Sequence, residues 1–437
     1  MLTIATALPG TSLSESLFCI TEGQLFVCTL NHKAKTVPRR IDLPGSANKL
    51  TYSNHLKCLI VSYSISELDT STDPVRRYTR SYIEFVDPDH QQQAIVHDEG
   101  RPHTASGEKV SCILEWIPEI RGEKYHCIVI GTARKHQRDK GRVIFLRAPS
   151  RSECSTKHVH HFDGPVYSIA PYGESTLMVA TGYDIVPLVH KLSSDSKWEP
   201  RARYTLLSPA ISITVHEPYV YISTARESLV ILKASDRKLT LHAHDRVKRE
   251  GLSHCCCTKD LVLSSSTNGT VSVLSEAGGG GGNDRLMPAS LAEVHLPMSV
   301  RTLLPPSSST LAVYGTTLVG SVYRFQILPE KEWRLLRFLQ MLCLGDSVIC
   351  PFTPKRKRRL NNFSLDVGEG KPSRMHVDGD ILARLVETGP SHLRDVLALQ
   401  EEERRFGELF ADLFPSSSSD ITDNVLVWLK GLLWKGF

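Results

Sequence analysis

Short apolar runs separated by turn-forming residues recur along this chain with a long, near-regular period. Ser16–Leu30 reads SLFCITEGQLFVCTL, two apolar stretches about a Glu-Gly turn. Tyr125–Leu146 opens YHCIVIGTA and closes GRVIFL, and Leu177–Leu192 reads LMVATGYDIVPLVHKL. Tyr219–Leu232 (YVYISTARESLVIL), Leu261–Leu274 (LVLSSSTNGTVSVL) and Leu311–Ile327 (LAVYGTTLVGSVYRFQI) continue the series. A looser seventh member pairs Leu56–Tyr63 with Tyr82–Val86 across a polar insertion. Val, Ile, Leu, Thr and Tyr dominate these runs, which is strand chemistry. The turns recur roughly every 42–50 residues apart from one interval lengthened by that insertion, a spacing that suits propeller blades. The pattern predicts a mainly β fold, a seven-bladed (WD40-like) β-propeller over residues 1–328. Propellers serve as platforms for partners more often than as sites of chemistry, and the repeat alone does not separate the two.

The period changes after Leu328. In Glu330–Leu344, EKEWRLLRFLQMLCL, Trp333, Leu336 and Leu339 follow a helical repeat. Asp380 stands where an N-cap belongs, ahead of Ile381, Leu382, Leu385 and Val386, and Gly389-Pro390 is the expected stop. Ser391 then caps a helix running to Phe414 with Leu393, Val396, Leu397, Phe406, Leu409 and Phe410 mainly on one side. A last short helix starts at Asp420 or Thr422 and carries Trp428, Leu432 and Leu433. A small α-helical C-terminal domain is therefore expected over 329–437. Two segments, 64–80 and the pentaglycine-bearing 275–290, read as disordered surface excursions from the blades.

Composition narrows the class. Of 437 residues, 41% are hydrophobic, enough for a full core, and 23% are charged, which suits a soluble surface. The net charge of +5 is too mild to argue for nucleic acid by itself. The eleven cysteines are scattered, several within apolar runs (Cys19, Cys28, Cys58, Cys127), and no CxxC pair occurs. Reduced thiols in a cytosolic or nuclear protein are the expectation. The start, MLTIATALPG, lacks the basic region of a signal peptide, and no window offers eighteen uninterrupted apolar residues, so no membrane partner is expected.

The chain has no G-x-S-x-G elbow, P-loop, G-x-G-x-x-G or H-E-x-x-H. His158, His160 and His161 cluster, as do His242 with His244 and His254 with Cys255–Cys257, but no second ligand pair stands at a zinc spacing. No catalytic group, metal or cofactor is expected. The sharpest local feature is the basic loop 354–359, Pro354 followed by Lys355, Arg356, Lys357, Arg358 and Arg359. Such a run suits a nuclear import receptor or phosphate contacts, and equally a solvated charged loop. No aromatic residue interleaves it to stack on bases.

Several segments resemble one family. YHCIVIGTARKHQRDKGRVIFL at 125–146, DGPVYSI at 163–169 and HVDGDILARLVE at 376–387 are similar, in order and spacing, to its GTA…GR block, its G-x-V-Y-S strand and its D-G-D helix start. The family is the one shared by damaged-DNA-binding protein 1, the large subunit of cleavage and polyadenylation specificity factor and the large propeller subunit of splicing factor 3b. The look is closest to the first of these. The resemblance covers the final propeller and helical domain of a longer, three-propeller arrangement. It implies a non-enzymatic nuclear scaffold docking proteins of a multi-subunit nucleic-acid-processing complex, of the cullin ubiquitin ligase adaptor or DNA repair type. The alternative is a DNA- or RNA-binding subunit of an mRNA 3′-end processing or splicing complex, using Lys355–Arg359 with Arg134, Lys135, Arg138 and Lys140. By the same resemblance Pro165, Tyr167 and Ser168 belong to a groove that receives a partner helix. Strand alternation places 165, 167 and 169 on one face, where Tyr167 reads equally well as core.

Overall fold

The computed structural model describes residues 2–7, 16–21, 24–29, 43–69, 75–86, 93–94, 104–105, 107–120, 123–134, 140–151, 153–190, 198–235, 238–258, 260–275, 289–304, 312–351, 375–397, 399–415 and 421–434. They fall into two compact units, Met1–Pro44 and Gly45–Phe437. The first contains one antiparallel sheet of three strands, Leu2–Ala7, Ser16–Thr21 and Gln24–Thr29.

The second unit is a mainly β propeller with six blades among the described residues, followed by four helices. Each blade is a meander in which an inner strand leads to two middle strands. The inner strands are Ser46–Ser53, Glu108–Trp116, Val166–Tyr172, Ala210–His216, Gly251–Cys256 and Val300–Leu304. The repeated sequence hairpins are the second and third strands of these blades, for example Thr176–Thr181 with Asp184–His190 and Tyr219–Thr224 with Ser228–Ala234. Neighbouring blades cover both faces of these strands. Val179, Ala180, Ile222 and Ile231 are accordingly buried at consecutive or alternate positions alike, and such strands read as unbroken apolar runs.

The expected excursion at 64–80 is mostly regular structure. Cys58–Asp69 pairs with Arg76–Val86 in continuous register from Leu59↔Val86 out to Asp69↔Arg76, so only 70–74 lie outside the described residues. This outer ribbon is polar because it faces solvent, and cross-strand contacts hold it: Tyr82 Oη donates to Glu67 at 2.6 Å, and Arg80 Nη1 lies 3.9 Å from the Glu67 carboxylate. In the second insertion, 276–288 lie outside the described residues, between strands Thr270–Ser275 and Ala289–His295.

The helices are α1 (Glu330–Leu344), α2 (Gly379–Val396), α3 (Gln400–Leu413) and α4 (Ile421–Trp434). Leu335, Leu339, Leu385, Leu393, Phe406, Phe410, Val425 and Leu429 form their shared core, separate from the blade cores. Two expectations need correction. The cap of α2 is Asp378, whose carboxylate accepts from Asp380 N at 2.9 Å, because the helix begins one residue before Asp380. Gly389, at φ 86° and ψ 178°, a backbone state open essentially to glycine, separates two helical stretches within Gly379–Val396, as the Gly389-Pro390 stop predicts. The single helix expected from Ser391 to Phe414 is broken between Val396 and Gln400. Arg324, on the last described strand of the blades, donates to the carbonyls of Leu432 at 2.9 Å and Leu433 at 3.2 Å. It thereby satisfies carbonyls left over at the end of α4.

Candidate functional site: the inner strands and blade corners

All six inner strands share a device. Each carries a β-bulge near its start, where one extra residue falls out of register: Asn48, Ser111, Tyr167, Ile211, Leu252 and Arg301. A bulge sharpens local twist and re-aims the following side chain. Here that side chain ties blades together. Ser168 Oγ accepts from Ile213 N at 3.1 Å, and Ser253 Oγ accepts from Leu303 N at 3.1 Å, each reaching the inner strand of the next blade. Ser212, at the equivalent position, lies 3.2 Å from Nδ1 of His254.

This places the three groove residues expected from the resemblance. Pro165 is half-buried at the strand entrance, and its carbonyl accepts from Gly182 N at 3.0 Å. Tyr167 is the half-buried bulge residue, and Ser168 is engaged between blades. The strict alternation expected for 165, 167 and 169 is broken by the bulge. Val166 and Ile169 face one blade core, Ala170 the other, with Tyr167 outside the register.

The GTA…GR block forms a corner. Glu108, 1% exposed, accepts from Thr132 Oγ1 at 2.6 Å, Arg142 Nε at 2.8 Å and Ala105 N at 2.8 Å, and pairs with Arg142 Nη2. Burial raises its pKa, but the bonds from Arg142, Thr132 and Ala105 outweigh burial and hold the carboxyl below its ordinary range. Thr132 Oγ1 also accepts from Arg142 N at 3.1 Å, so the threonine and arginine of the block grip one carboxylate. The glycines are there for room. A Cβ on Gly131 would meet Cys112 Sγ and Val166 Cγ1, and one on Gly141 would come within 2.5 Å of Thr132 O and 2.7 Å of Val166 N. Val166 belongs to the G-x-V-Y-S strand, so two motifs quoted from separate stretches of sequence meet at one point.

His254 is 4% exposed, with Nδ1 2.8 Å from Ser223 Oγ. Burial, aided by His216, lowers its pKa to about 4. His158 and His160 lie among aromatic rings, His158 5.7 Å from Phe145 and His160 4.8 Å from Phe162, and burial lowers the pKa of both. Among the described residues no three His, Cys, Asp or Glu converge as metal ligands. A cleft of about 110 Å³ beside Tyr172, Met178, Arg201 and Leu239 contains no carboxylate, histidine or cysteine. Lys355–Arg359, Lys135 and Arg138 lie outside the described residues, while Arg134 ends a strand with its amide on Lys140 O at 3.1 Å. No helix among the described residues is long and apolar enough to cross a membrane.

One end of the blades is different in character. The start of each inner strand and the turn between the two middle strands lie at the same end, as Leu206 N to Tyr183 O (2.8 Å) and Thr267 N to Glu250 O (2.9 Å) show. Exposed there are Tyr183, Leu207, Val247, Met298, Leu318 and Val319, with Leu207 at 84% and Leu318 at 86%. Sequence reasoning missed them because Tyr183, Leu318 and Val319 read as parts of the hairpins and the others as single apolar residues between blades.

Antiparallel blades locked by buried polar corners, with four C-terminal helices bonded to the last blade through Arg324, define a protein of the propeller class. Its membership is specific. The chain belongs to the CPSF A subunit region family, whose model matches residues 80–387. Propellers of this family are generally non-catalytic scaffolds, and its members are subunits of multi-protein complexes. The chain is also 22% identical over 253 residues to C3H8.05c, an uncharacterized protein of Schizosaccharomyces pombe. That match covers 55% of this chain and 23% of the yeast protein, so the chain spans under a quarter of its relative's length.

Proposed function

We propose that the protein is a non-catalytic scaffold subunit that docks partner proteins within a nuclear nucleic-acid-processing complex, of the cullin ubiquitin ligase adaptor or DNA repair type. The observation that carries the reading is the repeated exposure of Tyr183, Leu207, Val247, Met298, Leu318 and Val319 at one end of successive blades. Scattered apolar residues are ordinary on a surface, but recurrence at equivalent positions of one end suits a protein-binding face. Pro165, at that same end, and Tyr167, at the bulge below it, extend the face toward the inner strands. Docking there makes and breaks no bond; affinity comes from apolar area and shape. Nuclear placement rests on the family and on the Lys355–Arg359 run. The competing reading, a subunit that holds DNA or RNA directly, relies on the same cations.

Affinity capture of the tagged chain from separated nuclear and cytosolic fractions, with and without nuclease, distinguishes them. Protein partners recovered from the nuclear fraction after nuclease treatment are expected. Cullin-type partners would fix the branch proposed, and polyadenylation or spliceosomal ones the alternative. Loss of every partner on nuclease treatment, or recovery only from cytosol, would overturn the reading.

A further inference from the structure

We propose that a cleft between two neighbouring blades receives one aliphatic side chain from an acidic segment of a partner protein. The blades are those that begin with Val166–Tyr172 and Ala210–His216, and both contribute lining residues. The opening traces to a proline. Pro187 stands in the third strand of its blade, Asp184–His190, and its carbonyl accepts from Arg201 N at 2.8 Å. A paired strand residue turns its N–H and C=O to the same neighbour, and proline has no N–H to return the bond. The outer strand divides there. Trp198–Pro200 pairs with Leu188–His190 and Tyr204–Thr205 with Asp184–Ile185, so 201–203 on the outer side face only Val186 and Pro187. Beside this parted strand lies a cleft of about 110 Å³.

Its floor is apolar and continuous with the seam between the blades. Met178, Ala234 and Leu239 line the cleft and belong to one inter-blade core with Ile185, Ile222 and Leu232. An aliphatic group seated there extends that core. Size decides how much of a ligand enters. Pockets for whole small molecules run to roughly 300–1,000 Å³, so this one takes a single anchor and leaves the rest of its chain outside. The rim selects that remainder. Arg201 and Lys238 are exposed at the mouth, and no acidic residue is among the described residues that line the cleft. Glu217, which joins the two blades nearby, turns its carboxylate to Gly173 N at 2.8 Å. Acidic residues flanking the anchor therefore meet cations at the rim. The cleft lies where Thr176 pairs with Val189, at the end of the hairpin opposite Tyr183, so it is separate from the apolar face described above.

Methyl NMR of the full chain, labelled at its six methionines, reads the cleft through Met178, whose signal is assigned with Met178→Leu. The probe is the capped pentapeptide Asp-Glu-Leu-Glu-Asp, beside versions carrying isoleucine, valine or alanine at the centre and one with lysine in place of every acid. The aliphatic acidic peptides are expected to shift the Met178 signal saturably, and the alanine and lysine versions to bind at least tenfold more weakly. Ala202→Trp, at an exposed rim position, should fill the mouth and abolish the shift. Lys238→Glu, also exposed, should weaken the acidic peptides at least fivefold and narrow their advantage over the lysine version. No saturable Met178 shift with any aliphatic acidic peptide, or equal binding by the wild type and Ala202→Trp, overturns the proposal. Isovalerate binding as tightly as the peptides would overturn it in favour of a small free acid. Failure here leaves the docking face at the other end of the blades untouched.

Discussion

His254 shows how a single buried side chain couples this propeller to pH. Its imidazole is neutral when folded, with a pKa near 4 against an ordinary value of 6.5. Between those values the unfolded chain binds a proton that the folded chain refuses, so stability is complete above pH 6.5 and falls as pH drops through the window. The full loss is on the order of 3 kcal/mol, with about 2 of it gone by pH 5. Urea unfolding at pH 7 and pH 5 should show the midpoint falling, and His254→Asn, which keeps an acceptor near Ser223, should flatten that fall. An unchanged slope in the variant would assign the acid sensitivity elsewhere. Little of this was legible in the sequence. His254 beside three cysteines reads as a weak metal motif, and only the packing of Ser212 and Ser223 against Nδ1 gives it a structural part. A faint signal did exist: Val166-Tyr167-Ser168, Ala210-Ile211-Ser212, Gly251-Leu252-Ser253 and Val300-Arg301-Thr302 repeat a small or β-branched residue, one variable residue and a hydroxyl. In the first three that triplet is the bulge and its inter-blade tie.

Among the elements, the corner between the second and third strands of the 108–162 blade sets the geometry that the G-x-V-Y-S strand inherits. Glu108→Gln would leave Arg142 without its charge partner in a buried site, a loss of roughly 3–5 kcal/mol. Gly141→Ala would press a methyl onto the backbone of Thr132, Val166 and Gly164, which have no flexible end to yield; overpacking of this kind costs about 1–3 kcal/mol. Both variants should unfold at lower urea than wild type, and Glu108→Gln should lose more. Indifference to either change would mean the corner is ornamental. The middle strands were the readable elements because burial on both faces leaves them uniformly apolar. The outer strand Glu153–Phe162, ECSTKHVHHF, is mostly half-exposed and carries no such signal. The ribbon 64–80 reads as irregular for the same reason, since both its faces meet solvent. Helix periodicity located α1 to the residue, whereas the extra break before Gln400 had no glycine or proline to announce it.

For the molecule as a whole, hairpin repeats and ordered motifs made the propeller, the C-terminal helices and the family visible in sequence, while the exposed apolar residues at one end of the blades stayed hidden because they lie in turns. Among the described residues the second unit has six blades and four helices, the last of them bonded to the blades through Arg324. The most direct measurement is nuclease-treated affinity capture with Leu207→Ser/Leu318→Ser/Val319→Ser beside wild type, after equal melting temperatures establish that both are folded. Loss of the captured proteins from the variant is the predicted result. An unchanged partner set would contradict docking at that end of the blades.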